Sequence, residues 1–238
     1  MVAGVLFDLD GTLLDIEIDA FIGRYLSELA AHVAQVTGGT IEPAAVQHAV
    51  MSGTKAMMGT HEGTNREVFN ARVHELIGVD LAQRDMVDAL DYFYGVVFPQ
   101  LKGGMGPIAG GREAVETALA LGLPIALATH PVFPVAAIEE RMRWANVADL
   151  PFTVITTYET MGATKPHAAY FAQTAGLIGV EPAHCIMVGD DLDLDLPARA
   201  TGMRVFHVDA AREGAAGDRA DWAGDMYDFA ALLPTLVG

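Results

Sequence analysis

The chain predicts an α/β fold, a doubly wound parallel sheet with an α-helical domain inserted after its first strand. Three observations carry this. From about residue 112 onward, short apolar runs alternate with amphipathic segments, as parallel strands buried on both faces and joined by helices do. One further apolar run, Val2 to Leu9, stands apart at the front. Roughly a hundred residues of helical periodicity separate the two, far more than the dozen or so that a crossover needs.

Taken in order, Val2 to Leu9 runs into Asp-Leu-Asp-Gly-Thr and reads as a buried strand stopped by a glycine turn. From about Asp15 to Phe98, apolar residues recur at helical spacing, as in Phe21, Tyr25, Leu26 and Leu29, or Val68, Val73 and Leu76. The stretch Leu101 to Gly111 is dense in Gly and Pro and reads as a linker or hinge. Helix and strand then alternate: helix from about Arg112 to Ala120, strand Ile125 to Ala128, helix Pro134 to Trp144, strand Thr153 to Ile155. A helix from Ala168 to Gly176, a strand Cys185 to Val188, a short helix near Leu196, a strand Arg204 to Val208 and a helix from about Met226 to Leu233 complete the series. The expected domains are an α/β core of residues 1–13 and 105–238 and a helical domain of residues 14–104.

Composition excludes several function classes. With 238 residues, 52% hydrophobic and 19% charged, the chain has ample apolar surface to fold around. Fourteen basic against 31 acidic residues give a net charge of −17. That field does not suit a nucleic-acid binder and is repelled by anionic lipid. An anionic substrate therefore needs a local basic group or a bound cation. The single cysteine, Cys185, allows no intrachain disulfide or cysteine-built zinc site, so a cytoplasmic location is expected. The first residues lack the basic region of a secretory signal. The best membrane candidate, Thr117 to Thr129, is broken by Gly122 and Pro124 and is shorter than the roughly 18 residues that a span requires.

Ligands of open parallel sheets bind at the carboxyl ends of the strands. The residues expected there are Asp8 and Asp10, Thr129 and His130, and Asp190 and Asp191, with Lys165 just ahead of a helix. Asp8 and Asp10, two apart, place both carboxylates on one side while Leu9 turns into the core. One can attack while the other handles a proton. Gly11 lets backbone N–H groups approach a phosphoryl group, and Thr12 supplies a hydroxyl. A solvated acidic turn is the plainer reading of Asp-x-Asp alone, but not of Asp-Leu-Asp-Gly-Thr-Leu directly after a buried strand. Asp191-x-Asp193-x-Asp195 opens like a calcium loop, yet Leu196 stands where glycine is needed and Gly202 where glutamate is needed. The Gly103 to Gly111 cluster lacks the Gly-Lys-Ser/Thr of a P-loop.

With these residues in view, the chain resembles the haloacid dehalogenase-like (HAD) superfamily. Phe7 to Leu13 matches that family's first motif, Asp-x-Asp-Gly-Thr; Thr129 matches the second, Lys165 the third, and Gly189-Asp190 through Asp195 the fourth. The resemblance implies a Rossmann-like core with a cap inserted between motifs one and two. It implies Asp8 as the nucleophile that becomes an aspartyl-phosphate and Asp10 as the acid that protonates the leaving group and then activates water. It further implies Mg²⁺ between Asp8, the backbone carbonyl of Asp10 and Asp190, with Thr129 and Lys165 on the phosphoryl oxygens.

Many relatives carry Asn where this chain has His130, which is read as a donor to a phosphate oxygen or to the substrate that makes activity pH-sensitive, with a strand-end histidine bonded to backbone as the equal alternative. The remaining histidines are read as structural. The polar, glycine-rich stretch Ser52 to Arg66 is read as a loop facing the substrate, with Lys55, Asn65 and Arg66 as its candidates, against the plainer reading of a solvated loop. Tyr92, Phe93, Tyr94 and Phe98 are read as the core of the cap, and Asp191 and Asp195 as groups orienting Lys165 or metal-bound water. The expected function is Mg²⁺-dependent hydrolysis of a small phosphorylated metabolite. A sugar-phosphate mutase is the alternative within the family, and a silent binding protein lies outside it. Asp10 with Asp190 argues against a dehalogenase. No nucleic-acid or membrane partner is expected, and the oligomeric state is left open.

Overall fold

The structure, a computed structural model, describes residues 1–209 and 216–237. Six parallel strands form the central sheet: β1 (Gly4–Phe7), β4 (Ile125–Leu127), β5 (Val154–Ile155), β6 (Cys185–Gly189), β7 (Arg204–Val208) and β8 (Trp222–Gly224), in the order β5-β4-β1-β6-β7-β8. β1 sits inside, with Val5 opposite Ile125 on one side and Ile186 on the other. Alternation along the strands divides the core between the two faces. Val5, Phe7, Ile125, Val188 and Phe206 pack against α5 (Gly111–Ala120), α6 (Val135–Trp144) and α8 (Met226–Leu236). Leu6, Ala126, Met187 and Val205 pack against α7 (Ala168–Leu177).

The sheet departs from expectation at its edge. β8 is three residues long and too short to show a period. It is fixed by its parallel pairing with β7 and by the Asp221 carboxylate just before it, which accepts the Val205 N–H at 2.8 Å.

Two short strands, β2 (Leu14–Asp15) and β3 (Gly106–Pro107), pair antiparallel where the chain leaves the sheet and returns to it. Every element between them is helical, including α1 (Ile18–Val36), α2 (Pro43–Met57), α3 (Asn65–Ile77) and α4 (Arg84–Tyr92). The stretch expected as a long loop is shorter than its composition suggested, because α2 continues through Ser52 to Met57. Gly53 is buried there against the ring of Phe69, where a Cβ would come within 2.7 Å, so this glycine lets α2 and α3 approach closely. Thr64 and Glu67 then start α3 with a reciprocal capping box, and Gly78 ends it in the left-handed region. No helix among the described residues is long and apolar enough to cross a membrane.

The helical segment is tied to the sheet domain at two places. At its base, Phe21, Tyr25 and Phe98 interlock with Phe133 and Trp144, Phe98 stacking on Trp144 at 5.4 Å. Of the aromatics expected in its core, Phe93 and Phe98 are fully buried, whereas Tyr92 is 56% exposed and stacks on His32. At its tip, the turn between α2 and α3 docks by backbone on the segment before Lys165. The Asn65 N–H donates to Met161 O and the Arg66 N–H to Tyr158 O, both at 2.7 Å, and the Gly59 and Thr164 N–H groups are both satisfied across the seam. Asn65 is fully buried, and its Nδ2 donates to Pro131 O at 2.9 Å.

A Cβ on Gly162 would meet the Gly63 carbonyl oxygen at 2.6 Å, although the backbone there suits any residue. Gly162→Ala is therefore expected to part this seam at a cost of about 1–3 kcal/mol. The check is a lower urea midpoint with faster amide hydrogen exchange at Asn65 and Arg66 than in α7.

Candidate active site

Parallel strands direct their carboxyl ends to one edge of the sheet, and three aspartates meet there. Asp8 follows β1, Asp190 follows β6, and Asp195 lies in the turn beyond it. One ligand oxygen from each falls within 4.8 Å of the others. Lys165 enters from the segment ahead of α7 and donates from Nζ to Asp8 Oδ1 at 2.6 Å and to Asp195 Oδ1 at 2.5 Å. Asp8, Lys165 and Asp195 are all buried. Two glycines make room for these carboxylates. A Cβ on Gly11, whose φ is +80°, would overlap the Asp190 carboxylate, and one on Gly189 would overlap that of Asp195.

The charges in this cluster do not balance. Three carboxylates surround one ammonium, so burial raises the pKa of Asp8 and outweighs the pull of Lys165. Asp190 is pushed up to about 7, first by burial and then by the charge of Asp8. For Lys165, burial works against the ammonium, yet Asp195 and Asp8 hold it charged. An excess of buried negative charge with only oxygen ligands suits a divalent cation, and Asp8 and Asp190 are the carboxylates that could hold one. Asp195 is already committed to Lys165.

Asp10, two residues from Asp8, sits differently. Its Oδ2 accepts from Nη1 of Arg141, a fully buried residue on α6 whose guanidinium lies 4.3 Å over the ring of Phe133. Asp10 Oδ1 has no hydrogen-bond partner. Thr129 and His130, at the end of β4, line the same pocket of about 290 Å³. The Thr129 carbonyl accepts from Thr156 Oγ1 at 2.9 Å and Tyr170 Oη at 2.8 Å, which fixes the backbone beneath its side chain. Burial and then the charge of Lys165 push the pKa of His130 down to about 4.

Residues 2–201 match the family model described as haloacid dehalogenase-like hydrolase. The chain belongs to that family. It is 25% identical over 229 residues to the ribulose-1,5-bisphosphate 5-phosphatase of Halopiger xanaduensis, covering 94% of this chain and 91% of that protein. It is also 25% identical over 232 residues to the phosphoglycolate phosphatase of Agrobacterium fabrum, covering 97% and 91%. Among solved structures, a HAD phosphatase from Thermococcus onnurineus aligns with a TM-score of 0.59 over 98% of both chains at 21% identity, which shows a shared fold.

Within this HAD hydrolase, the structure brings Asp8, Asp10, Gly11, Thr129, His130, Lys165 and Asp190 to one pocket. Gly11 lines this pocket and Thr12 does not. The Gly11 N–H closes a turn onto Leu14 O at 2.8 Å, and the Thr12 hydroxyl donates to Asp190 Oδ1 at 3.0 Å and lies outside the pocket lining. Lys55 is exposed near the end of α2 and does not line this pocket. His130 lines the pocket beside Thr129, its pKa lowered by burial and then by Lys165. Asp195 and Asp191 separate clearly: Asp195 orients Lys165, whereas exposed Asp191 caps the N–H groups of Asp193 and Leu194. Arg141 was missed. Its signal is present in the sequence as a charged residue on the apolar face of α6, three residues after Ile138 and beside Met142.

Two outcomes follow from these contacts. Arg141→Met leaves the Asp10 carboxylate without its counter-charge and is expected to cost about 3 kcal/mol, read as a lower urea midpoint that Arg141→Lys partly restores. The carboxyl of Asp190 lies at about 7 in the folded chain against an ordinary 3.8. The folded state therefore binds more protons than the unfolded state between these values, and this group's contribution to stability falls as pH rises through them. Mg²⁺ is expected to raise Tm more at pH 8 than at pH 5.5, as measured by calorimetry with and without the ion.

Proposed function

We propose that this chain is a Mg²⁺-dependent phosphomonoester hydrolase that works through an aspartyl-phosphate on Asp8, with residues 14–104 acting as a cap over a core of residues 1–13 and 105–238. The observation that carries the reading is the pair Asp8 and Lys165, 2.6 Å apart and buried at a strand end, with Asp10 two residues away. A purely binding site has no need of an attacking carboxylate beside a second proton-handling one. The two curated relatives, named as phosphatases, support hydrolysis of a small phosphorylated metabolite.

The chemistry then runs in two halves. An oxygen of Asp8 attacks phosphorus, the bond from phosphorus to the ester oxygen breaks, and the departing oxygen takes a proton from Asp10. The oxygen that Arg141 leaves free, Oδ1, is the one to carry that proton. In the second half Asp10 takes a proton from water, the water oxygen attacks phosphorus, and Asp8 is released with inorganic phosphate. Lys165 holds Asp8 in place and offsets charge on the phosphoryl oxygens, and Thr129 donates its hydroxyl to them. Mg²⁺ held by Asp8 and Asp190 would neutralise phosphate charge that an acidic chain otherwise repels. The β2–β3 crossing and the glycines around it serve as the hinge of the cap.

A sugar-phosphate mutase would use the same Asp8 and Asp10 but return the phosphoryl group to a sugar. Phosphate release from an aryl phosphate with Mg²⁺ separates the two. The wild type is expected to turn over, and Asp8→Asn to lose about three orders of magnitude or more. Wild-type protein that transfers phosphate between sugars yet releases none to water would overturn the hydrolase reading.

A further inference from the structure

Beside the catalytic pocket lies a second, partly open cavity of about 380 Å³. Helices α1 to α4 supply most of its walls, with Leu26, Val50 and Val73 among them, and Phe133 and Tyr158 come from outside those helices; the lining is mainly apolar, both aliphatic and aromatic. Ile22, Val132 and Phe133 line both this cavity and the catalytic pocket. These three side chains are the boundary across which the non-phosphate part of a bound ester would extend from Asp8 into the helical segment. We propose that the substrates are phosphomonoesters of an apolar alcohol or phenol, whose organic group occupies this cavity; the proposal rests on the phosphohydrolase reading and names its substrate class.

Size and polarity both favour this occupant. A well-packed core leaves few voids larger than a water molecule, and at about 30 Å³ per water-sized group the space takes roughly a dozen carbon atoms. Polyol or carboxylate substituents would find few partners there. The lining offers Thr54, Lys55 and three tyrosines, and the hydroxyls of Tyr25 and Tyr94 already bond each other at 2.8 Å. Unmatched hydroxyl or carboxylate groups are costly in such surroundings, whereas methylene groups gain from entering them. Lys55 is exposed, as are Met51 and Met58, and it does not line the catalytic pocket.

Binding of methyl-, butyl- and octylphosphonate with Mg²⁺, measured calorimetrically, tests the cavity without turnover. Affinity is expected to rise about twofold per methylene, about half the free-energy gain of a fully buried one, reaching about a hundredfold over the seven methylenes from methyl to octyl. Val50→Trp, which fills the space, should cut that ratio about tenfold. Phosphate release from octyl and naphthyl phosphate should exceed that from ribose 5-phosphate and phosphoglycolate in kcat/KM. A flat chain-length series, or preference for the two polar esters, overturns the apolar subsite. A flat series with phosphate release intact refutes the subsite and leaves hydrolysis standing. Chain-length-dependent binding without release from any ester refutes hydrolysis and leaves the subsite standing.

Discussion

The single ammonium of Lys165 is the constraint around which this molecule is arranged. A carboxylate as deep as Asp8 or Asp195 is costly to ionise unless a counter-charge sits beside it, and Lys165 reaches both at once. That geometry demands that three distant stretches of chain converge. The order β4-β1-β6 puts the ends of β1 and β6 side by side, and the crossover into α7 carries the lysine over them. Gly11 and Gly189 then supply the absence of side chain that lets carboxylates lie against backbone. Replace the lysine by a neutral residue and the cluster retains only repulsion.

Much of this was legible in the sequence because parallel sheets obey a simple rule: apolar runs buried on both faces end at one edge. Asp8, Thr129 and Asp190 could be placed together from that rule, and Lys165 from its position ahead of a helix. What escaped depended on tertiary packing. β8 exists because β7 offers it an edge, and no three-residue segment shows that in its own pattern. Gly53 reads as a loop residue until Phe69 is seen pressed against it. Asp191 and Asp195 are equivalent as letters, and only burial shows that one touches the lysine while the other finishes a turn. Arg141 stands on the apolar face of α6, but its partner lies 131 positions away and no local pattern names it.

Charge is distributed economically in an acidic chain. Arg141 is matched to Asp10, and Lys165 is shared between two aspartates. Attraction for an anion therefore comes from groups held inside the site and from whatever cation joins them, while the surrounding field opposes entry. Floor and roof differ accordingly. The floor is built of oxygen and nitrogen atoms fixed by the sheet, and the roof of apolar side chains supplied mostly by helices.

The position of β1 also has a consequence for how the molecule comes into being. Its partners β4 and β6 lie about 120 and about 180 residues further along the chain. Contacts of such long range form slowly and late, whereas the intervening helices are stabilised by near neighbours in sequence. During synthesis β1 thus leaves the ribosome well before either neighbour has been made, apolar on both faces, while the helical segment assembles behind it. The turn that carries Asp8 and Asp10 waits for the strands that flank it. A growing chain therefore holds no competent site until β6 and the turn that carries Asp195 have followed.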